Sequence, residues 1–431
     1  MITAPETMQF SRDQQRAIDK ALALQSGILM ITGKAGTGKS VVTREIRKRR
    51  RCIVAAPTGL AGINVGAPTC HSLFGISPNR LLSRQLHARD EKKRNIYRAA
   101  DLLVIDEISM VRADLLDAID KIMQATLEDS RPFGGKPVVV VGDPWQLEPV
   151  VTQEDKDAGL LSDYRSPFFF DSHVWNECAP DVIELGQVFR QAAGPFTDCL
   201  NRIRTGDVSD LSAVNDRFFK QPSDTIVLCT TNRKAGTINQ IELDNIQSEP
   251  VTLSASIDGF SPSEFPVEQN LTLKVGARVM LVANQPLAGY INGDFGTVLG
   301  IDANYVDVLV DRTGEKAYVT RYTWQKTRYK ASDQGTLTEE AEHGYTQFPI
   351  KLGYAITVHK SQGQTLERAH VHLERSDLPH GLTYVALSRV KSLRGLTLER
   401  PIYPSDINVS ARVREWAYQQ SIAALFSMEE F

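Results

Sequence analysis

Short, unbroken apolar runs recur along the first third of the chain, at residues 28–31, 52–56, 102–105 and 138–141. Runs of that length, rich in branched residues and without polar alternation, predict parallel strands covered by helices on both faces. Residues 113–127 carry Leu115, Leu116, Ile119, Ile122 and Met123 at helical spacing between the third and fourth runs. Apolar runs at 182–185 and 226–229 bracket a helical stretch around 196–203, and strand-like runs return near 369–373 and 396–398. Together these predict a second α/β block. Between about 250 and 345 the period changes. Segments 278–282, 296–299 and 305–310 are short and β-rich, joined by Asn292-Gly293-Asp294 and Asp311-Arg312-Thr313-Gly314. Turn chemistry of that kind predicts a small β-barrel inserted into the second block. No internal repeat or low-complexity tract interrupts the pattern.

Composition narrows the classes. A chain of 431 residues predicts two to four domains, at roughly 150 residues each, and 42% hydrophobic content allows large cores. The net charge of −3 carries no global signal for nucleic acid, so such a partner has to be held by a local groove. Five cysteines, odd in number and without a C-x-x-C pair, argue against a disulfide framework or zinc knuckle. His370 and His372 lie two apart in an apolar run without a third ligand, which reads as a half-buried strand. The start has neither a basic nor an apolar leader region, and no apolar window approaches 18 residues. A soluble, cytoplasmic protein of bacterial or phage-like type, away from membranes, is expected.

Gly33-Lys34-Ala35-Gly36-Thr37-Gly38-Lys39-Ser40 fits G-x-x-x-x-G-K-[ST], the phosphate-cradling loop, and stands between a strand run and a helical pattern. Its glycines let backbone N–H groups of Gly33, Ala35, Gly36, Thr37 and Gly38 close on phosphates at a helix N-terminus. Lys39 would reach the β- and γ-phosphates of ATP, and the Ser40 hydroxyl would hold Mg²⁺. The run 102–105 then delivers Asp106 and Glu107 to a strand end, Asp106 for Mg²⁺ and Glu107 as general base. Gln146, in Gly142-Asp143-Pro144-Trp145-Gln146, can touch the γ-phosphate; the same string also reads as a plain turn. Arg190 and Arg389 are candidates for arginines supplied from a neighbouring domain, although spacing alone does not select them. The basic run Arg47 to Arg51 reads as a solvated helix end, and Trp324 with Tyr322 reads as barrel packing or a stacking platform.

These motifs, in this order, resemble a superfamily I DNA helicase of the Pif type (petite integration frequency), related to RecD-like helicases. The resemblance spans nearly the whole chain. Phe10-Ser11-Arg12-Asp13-Gln14-Gln15 resembles a glutamine motif that reads adenine through Gln14. Residues 56–61 and 69–74 resemble motif Ia and its sequel. Residues 106–117 with Pro132-Phe133-Gly134-Gly135 resemble the family's own signature. Leu273 to Met280 resembles its barrel insertion, Ala355 to Thr365 its motif V, and Tyr384 to Arg389 its motif VI. The resemblance implies two RecA-like domains clamping ATP, with Gly363, Arg190 and Arg389 facing the first-domain residues. It implies an ATP-dependent 5′-to-3′ helicase that translocates on single-stranded DNA and unwinds tailed or forked duplex, G-quadruplex or RNA–DNA hybrid in genome maintenance. Thr58, Thr69 and His71, then Asn232, Thr357, His359 and Lys360, are the implied DNA contacts. The implied division is 1–74 and 91–180 for the first domain and 75–90 for a short wedge. The second domain takes 181–250 and 346–431, and an SH3-like barrel takes 251–345. A monomer is expected, with dimerisation on DNA allowed. Competing readings are a RecD- or relaxase-type subunit of a larger complex, a P-loop switch or kinase, and a catalytically dead binding module. Trp145 and the shortness of the wedge depart from the family pattern.

Overall fold

Five parallel strands form the first sheet in the order β2-β3-β4-β1-β5: β1 (Ile28–Gly33), β2 (Cys52–Ala55), β3 (Leu102–Ile105), β4 (Val138–Val141) and β5 (Asp181–Leu185). The computed structural model describes residues 9–76, 91–157, 159, 161–218, 225–331, 337–374 and 378–429. Strands β1 to β4 are buried throughout, as unbroken apolar runs require. On one face Ile53, Leu103, Ile105 and Val140 pack on Leu115, Leu116, Ile119 and Ile122 of the helix Ala113–Leu127. On the other, Leu29, Ile31, Val104 and Val141 meet Ala17 and Ile18 of Arg12–Ala23 and Val42 and Ile46 of Lys39–Arg49.

The boundary expected at 181 is corrected. The run at 182–185, assigned above to the second block, pairs with β1 from Leu29↔Asp181 to Gly33↔Leu185. An apolar run announces a strand but not the sheet that receives it. Asp181 and Glu184 remain exposed, which suits an edge position.

The second parallel sheet starts at β6 (Ile226–Cys229) and is then interrupted by antiparallel strands. These are β7 (Val251–Ser254), β8 (Ser256–Ile257), β9 (Asn270–Leu273), β10 (Arg278–Leu281) and β11 (Phe295–Ile301). They continue as β12 (Tyr305–Val310), β13 (Glu315–Thr320), β14 (Tyr322–Ala331), β15 (Leu337–Gln347) and β16 (Ile350–Leu352). A five-stranded sheet β13-β12-β11-β10-β16 and the pair β7-β9 enclose Val279, Leu281, Val298, Val306, Val308 and Val319, while a three-stranded sheet β14-β15-β8 packs Trp324 and Tyr345 in a separate cluster with Val267. Among the described residues no pairing joins β13 to β16, so the expected barrel is represented by its antiparallel sheets. Strand β16, beyond residue 345, belongs to them through Val279↔Leu352 and Leu281↔Ile350. Then β17 (Ala355–Thr357), β18 (Ala369–His372) and β19 (Leu396–Leu398) complete the second parallel sheet, β17-β6-β18-β19. His370, on β18, hydrogen-bonds Thr397 and Glu399. From residue 77 on, the expected wedge at 75–90 lies outside the described residues.

Candidate nucleotide cleft and nucleic-acid groove

The loop 34–38 runs from β1 into the helix Lys39–Arg49, whose N-cap Gly38 is left-handed (φ +82°) and supplies no side-chain cap. Gly36, also at φ +82°, lies against Arg190 so closely that a Cβ there would stand 2.4 Å from the arginine's Cβ. The loop therefore admits no side chain at this point. Gln14 completes a capping box with Ser11, and its Nε2 donates to the Thr37 carbonyl at 3.1 Å. Lys39 Nζ donates to the carbonyls of Gly33 (2.6 Å) and Lys34 (3.1 Å). Burial lowers its pKa, against the raising charges of Asp143, Glu107 and Asp106.

Strand β3 ends in Asp106, whose Oδ1 accepts the Glu107 N–H at 3.1 Å. Burial and the adjacent Glu107 charge both push the Asp106 carboxyl upward. Glu107 itself is left-handed (φ 50°), a conformation costing about 1–3 kcal/mol that active sites retain when the surroundings hold it. Its Oε2 accepts from Gln362 Nε2 at 3.2 Å, which joins the two halves of the chain at the cleft.

Beyond β4, Gln146 Nε2 donates to Asp143 Oδ2 at 3.1 Å, and Arg204 grips the same carboxylate through Nη2–Oδ1 (2.8 Å) and Nε–Oδ2 (3.2 Å). Burial works against both charges, yet the pairing dominates: Asp143 is held below and Arg204 above its ordinary value. Arg190 Nη1 donates to the Ser388 carbonyl, and Arg389, 1% exposed, donates to carbonyls of Val385, Ser361 and Gln364. Burial lowers both guanidinium groups, Arg389 to about 9 with the charge of Arg190 adding to the effect. Tyr384, one turn earlier, takes the Ala35 N–H on its hydroxyl at 2.9 Å.

Ser40, Asp106, Glu107 and Gly363 line one cavity of about 1550 Å³ together with Thr58, Asn232, Thr357, His359 and Lys360. Thr58 accepts the Ala61 N–H, Thr69 caps Cys70–Phe74, and Thr357 caps Val358–Ser361. Asn232 opens the helix Asn232–Asp244, and His359 is lowered by burial. Thr69 and His71 stand outside that lining; burial and Arg112 lower the His71 imidazole. Two lures resolve as scaffold. Trp324 is 5% exposed against Tyr322 and Tyr345, and Arg50 and Arg51 bind the carbonyl and carboxylate of Asp101. Asp143, Arg204, Gln362 and Tyr384 carry contacts that sequence spacing does not announce. Asp143 had a signal in its place beside Gln146, and Gln362 and Tyr384 in lying within the motif V and motif VI strings; Arg204 had none.

Residues 9–213 match the PIF1-like helicase family. The chain is 32% identical to the human ATP-dependent DNA helicase PIF1 over 92% of its own length, and spans 62% of that relative. It is 30% identical to the ATP-dependent DNA helicase Pif1 of Bdellovibrio bacteriovorus, covering 91% of this chain and 88% of the relative. The crystal structure of Bacteroides Pif1 in complex with ADP-AlF4 superimposes with a TM-score of 0.86 at 35% identity, covering 96% of this chain and 98% of that one. With this identity and these two parallel sheets, the chain belongs to the PIF1-like helicase family.

Proposed function

We propose that the chain is an ATP-dependent DNA helicase that moves 5′ to 3′ on single-stranded DNA and unwinds tailed or forked duplex ahead of it. The observation that carries this is the Glu107–Gln362 hydrogen bond, with Lys39 and Asp106 on one side of the cleft and Gly363 and Arg389 on the other. The names of the human and Bdellovibrio relatives support ATP and DNA as substrates.

The residues fit a nucleoside triphosphate. Lys39, Arg190 and Arg389 are sequestered cations whose charge burial disfavours, so a bound polyanion relieves a cost already present. Ser40 and Asp106 form an oxygen donor set that suits Mg²⁺, which when bound neutralises charge on the transferring phosphoryl group. Gln14 would position the base, and the backbone of Gly33 to Gly38 the phosphates. Glu107 would accept a proton from the attacking water at Oε2, the atom that now receives Gln362. Gln146, held by Asp143, would sense the γ-phosphate while Arg190 and Arg389 stabilise its developing charge. Thr58 belongs to the first half of the groove and Thr357, His359 and Lys360 to the second. Closing the cleft would therefore shift one set of strand contacts against the other.

Glu107→Gln tests the assignment. ATP and DNA binding should persist while turnover falls by roughly a hundredfold or more, the scale of a lost catalytic base. Turnover near the wild-type rate overturns the role. Direction is read from duplexes with a 5′ or a 3′ single-stranded tail, and preference for the 3′ tail reverses the proposed polarity.

A further inference from the structure

The insertion is joined to the groove through β16, and one residue of that strand has no place in the mechanism above. Ile350 points into the apolar cluster of the insertion, and its neighbour Lys351, paired with Met280 of β10, lies on the opposite face and lines the groove cavity. Lys351 is half-buried and has neither a hydrogen-bond nor an ion-pair partner among the described residues. Lys360, an exposed second cation within the motif V stretch, lines the same cavity and acts electrostatically on Lys351. Of the acids that line the cavity, Asp106 and Glu107 belong to the proposed nucleotide site and Glu367 is bound to Lys391. Glu264 is bound to Lys326, Asp294 to Arg312, and Asp311 to Arg278. Strand β17 presents only Ala355, Ile356 and Thr357, and burial holds His359 toward its neutral form. Among the described residues, Glu268 acts on Lys351 with a raising charge.

We propose that Lys351 and Lys360 together seat one backbone phosphate of single-stranded DNA, so that the inserted sheet takes part directly in holding the strand. This rests on the helicase reading above. A half-buried, unpaired lysine facing a second lysine is a costly arrangement in the free protein, and a phosphodiester between them compensates both charges. Burial first, and Lys360 second, lower the Lys351 ammonium to about 8, against the opposing Glu268. The sign follows: the protonated form binds the anion, so affinity is full below that value and declines as pH rises through it.

Anisotropy of a labelled oligothymidylate, measured from pH 7 to pH 9 and over a salt series, tests this. Wild-type affinity should fall across that pH range, whereas Lys351→Arg, which stays charged, should hold its affinity. Lys351→Gln should bind roughly tenfold more weakly at low salt, with a salt slope shallower by about 0.7 of a counterion. If wild type and Lys351→Gln bind alike, with the same slope, the lysine seat is overturned while the helicase reading stands. If the wild type does not bind the strand at all, that reading itself fails. If the variants change the KM for ATP without DNA and keep wild-type DNA affinity, the phosphate is the nucleotide's and the inference fails.

Discussion

Asp143 is buried completely and bound on both oxygens, by Arg204, by Gln146 and by the Trp145 N–H, with Arg204 lying 5.6 Å over the Trp145 ring. Gln146, the proposed γ-phosphate sensor, is therefore oriented through a carboxylate whose other partner, Arg204, lies 61 residues further along the chain. Arg204→Met leaves that carboxylate buried and unpaired, so denaturant unfolding should show a loss of about 3–5 kcal/mol. A loss under about 1 kcal/mol would mean that water reaches the site and screens it. The pH dependence follows from the lowered Asp143 pKa. A depressed carboxylate contributes stability above its unfolded value of about 3.9 and loses it as pH falls through the folded value. The stability gap between wild type and Asp143→Asn should thus stay flat from pH 8 to pH 5 and shrink only below about pH 4. A gap that already closes between pH 7 and pH 5 would contradict the pairing.

The helix Ala113–Leu127 follows β3, and its acids serve architecture. Asp117 accepts the N–H groups of His173 (3.0 Å) and Val174 (2.9 Å), capping His173–Cys178 from a distance, while Asp120 accepts the Phe133 N–H at 2.6 Å. Phe133 is left-handed (φ 52°) and fully buried, so that hydrogen bond pins a strained turn into the core. Asp117→Ala strands two donors and should cost about 2–6 kcal/mol in thermal or urea unfolding, at about 1–3 kcal/mol for each unsatisfied group. Retention of wild-type stability would show that the helix His173–Cys178 caps itself through Ser172 alone. Elements of this kind separate what a sequence discloses from what it withholds. Strands β1 to β4 and the nucleotide loop were legible because burial on both faces and phosphate geometry are local demands on residue type. The sheet that receives β5 was not, because an edge strand and the first strand of a new domain share one pattern. Nor were Arg204 and Gln362, whose partners lie 61 and 255 residues away, since no local period encodes a distant hydrogen bond.

The two α/β halves are also tied by contacts outside the loop 34–38. The C-terminal helix Ala411–Glu429 leaves the second half and lays Trp416 flat on Phe170 of the first, with ring centroids 5.2 Å apart. Arg412 beside it binds both oxygens of Asp171. At the root of the helix the Ser410 N–H donates to His380 Nδ1, which leaves the proton on Nε2 to reach the Pro144 carbonyl at 2.8 Å. The strap thus reaches the strand-end loop that holds Gln146. Coupling between halves then depends on this junction as well as on the cleft, and the junction can be weakened without touching a nucleotide contact. Trp416→Ala removes a large, 6% exposed side chain and should lower stability by about 3–5 kcal/mol. Because the ring spans the junction, the loss should fall on the contact between halves, and calorimetry should resolve two transitions where the wild type gives one. A single transition displaced as a whole would instead mean that the cleft contacts alone, Asp143–Arg204 and Glu107–Gln362, suffice to make the halves unfold together.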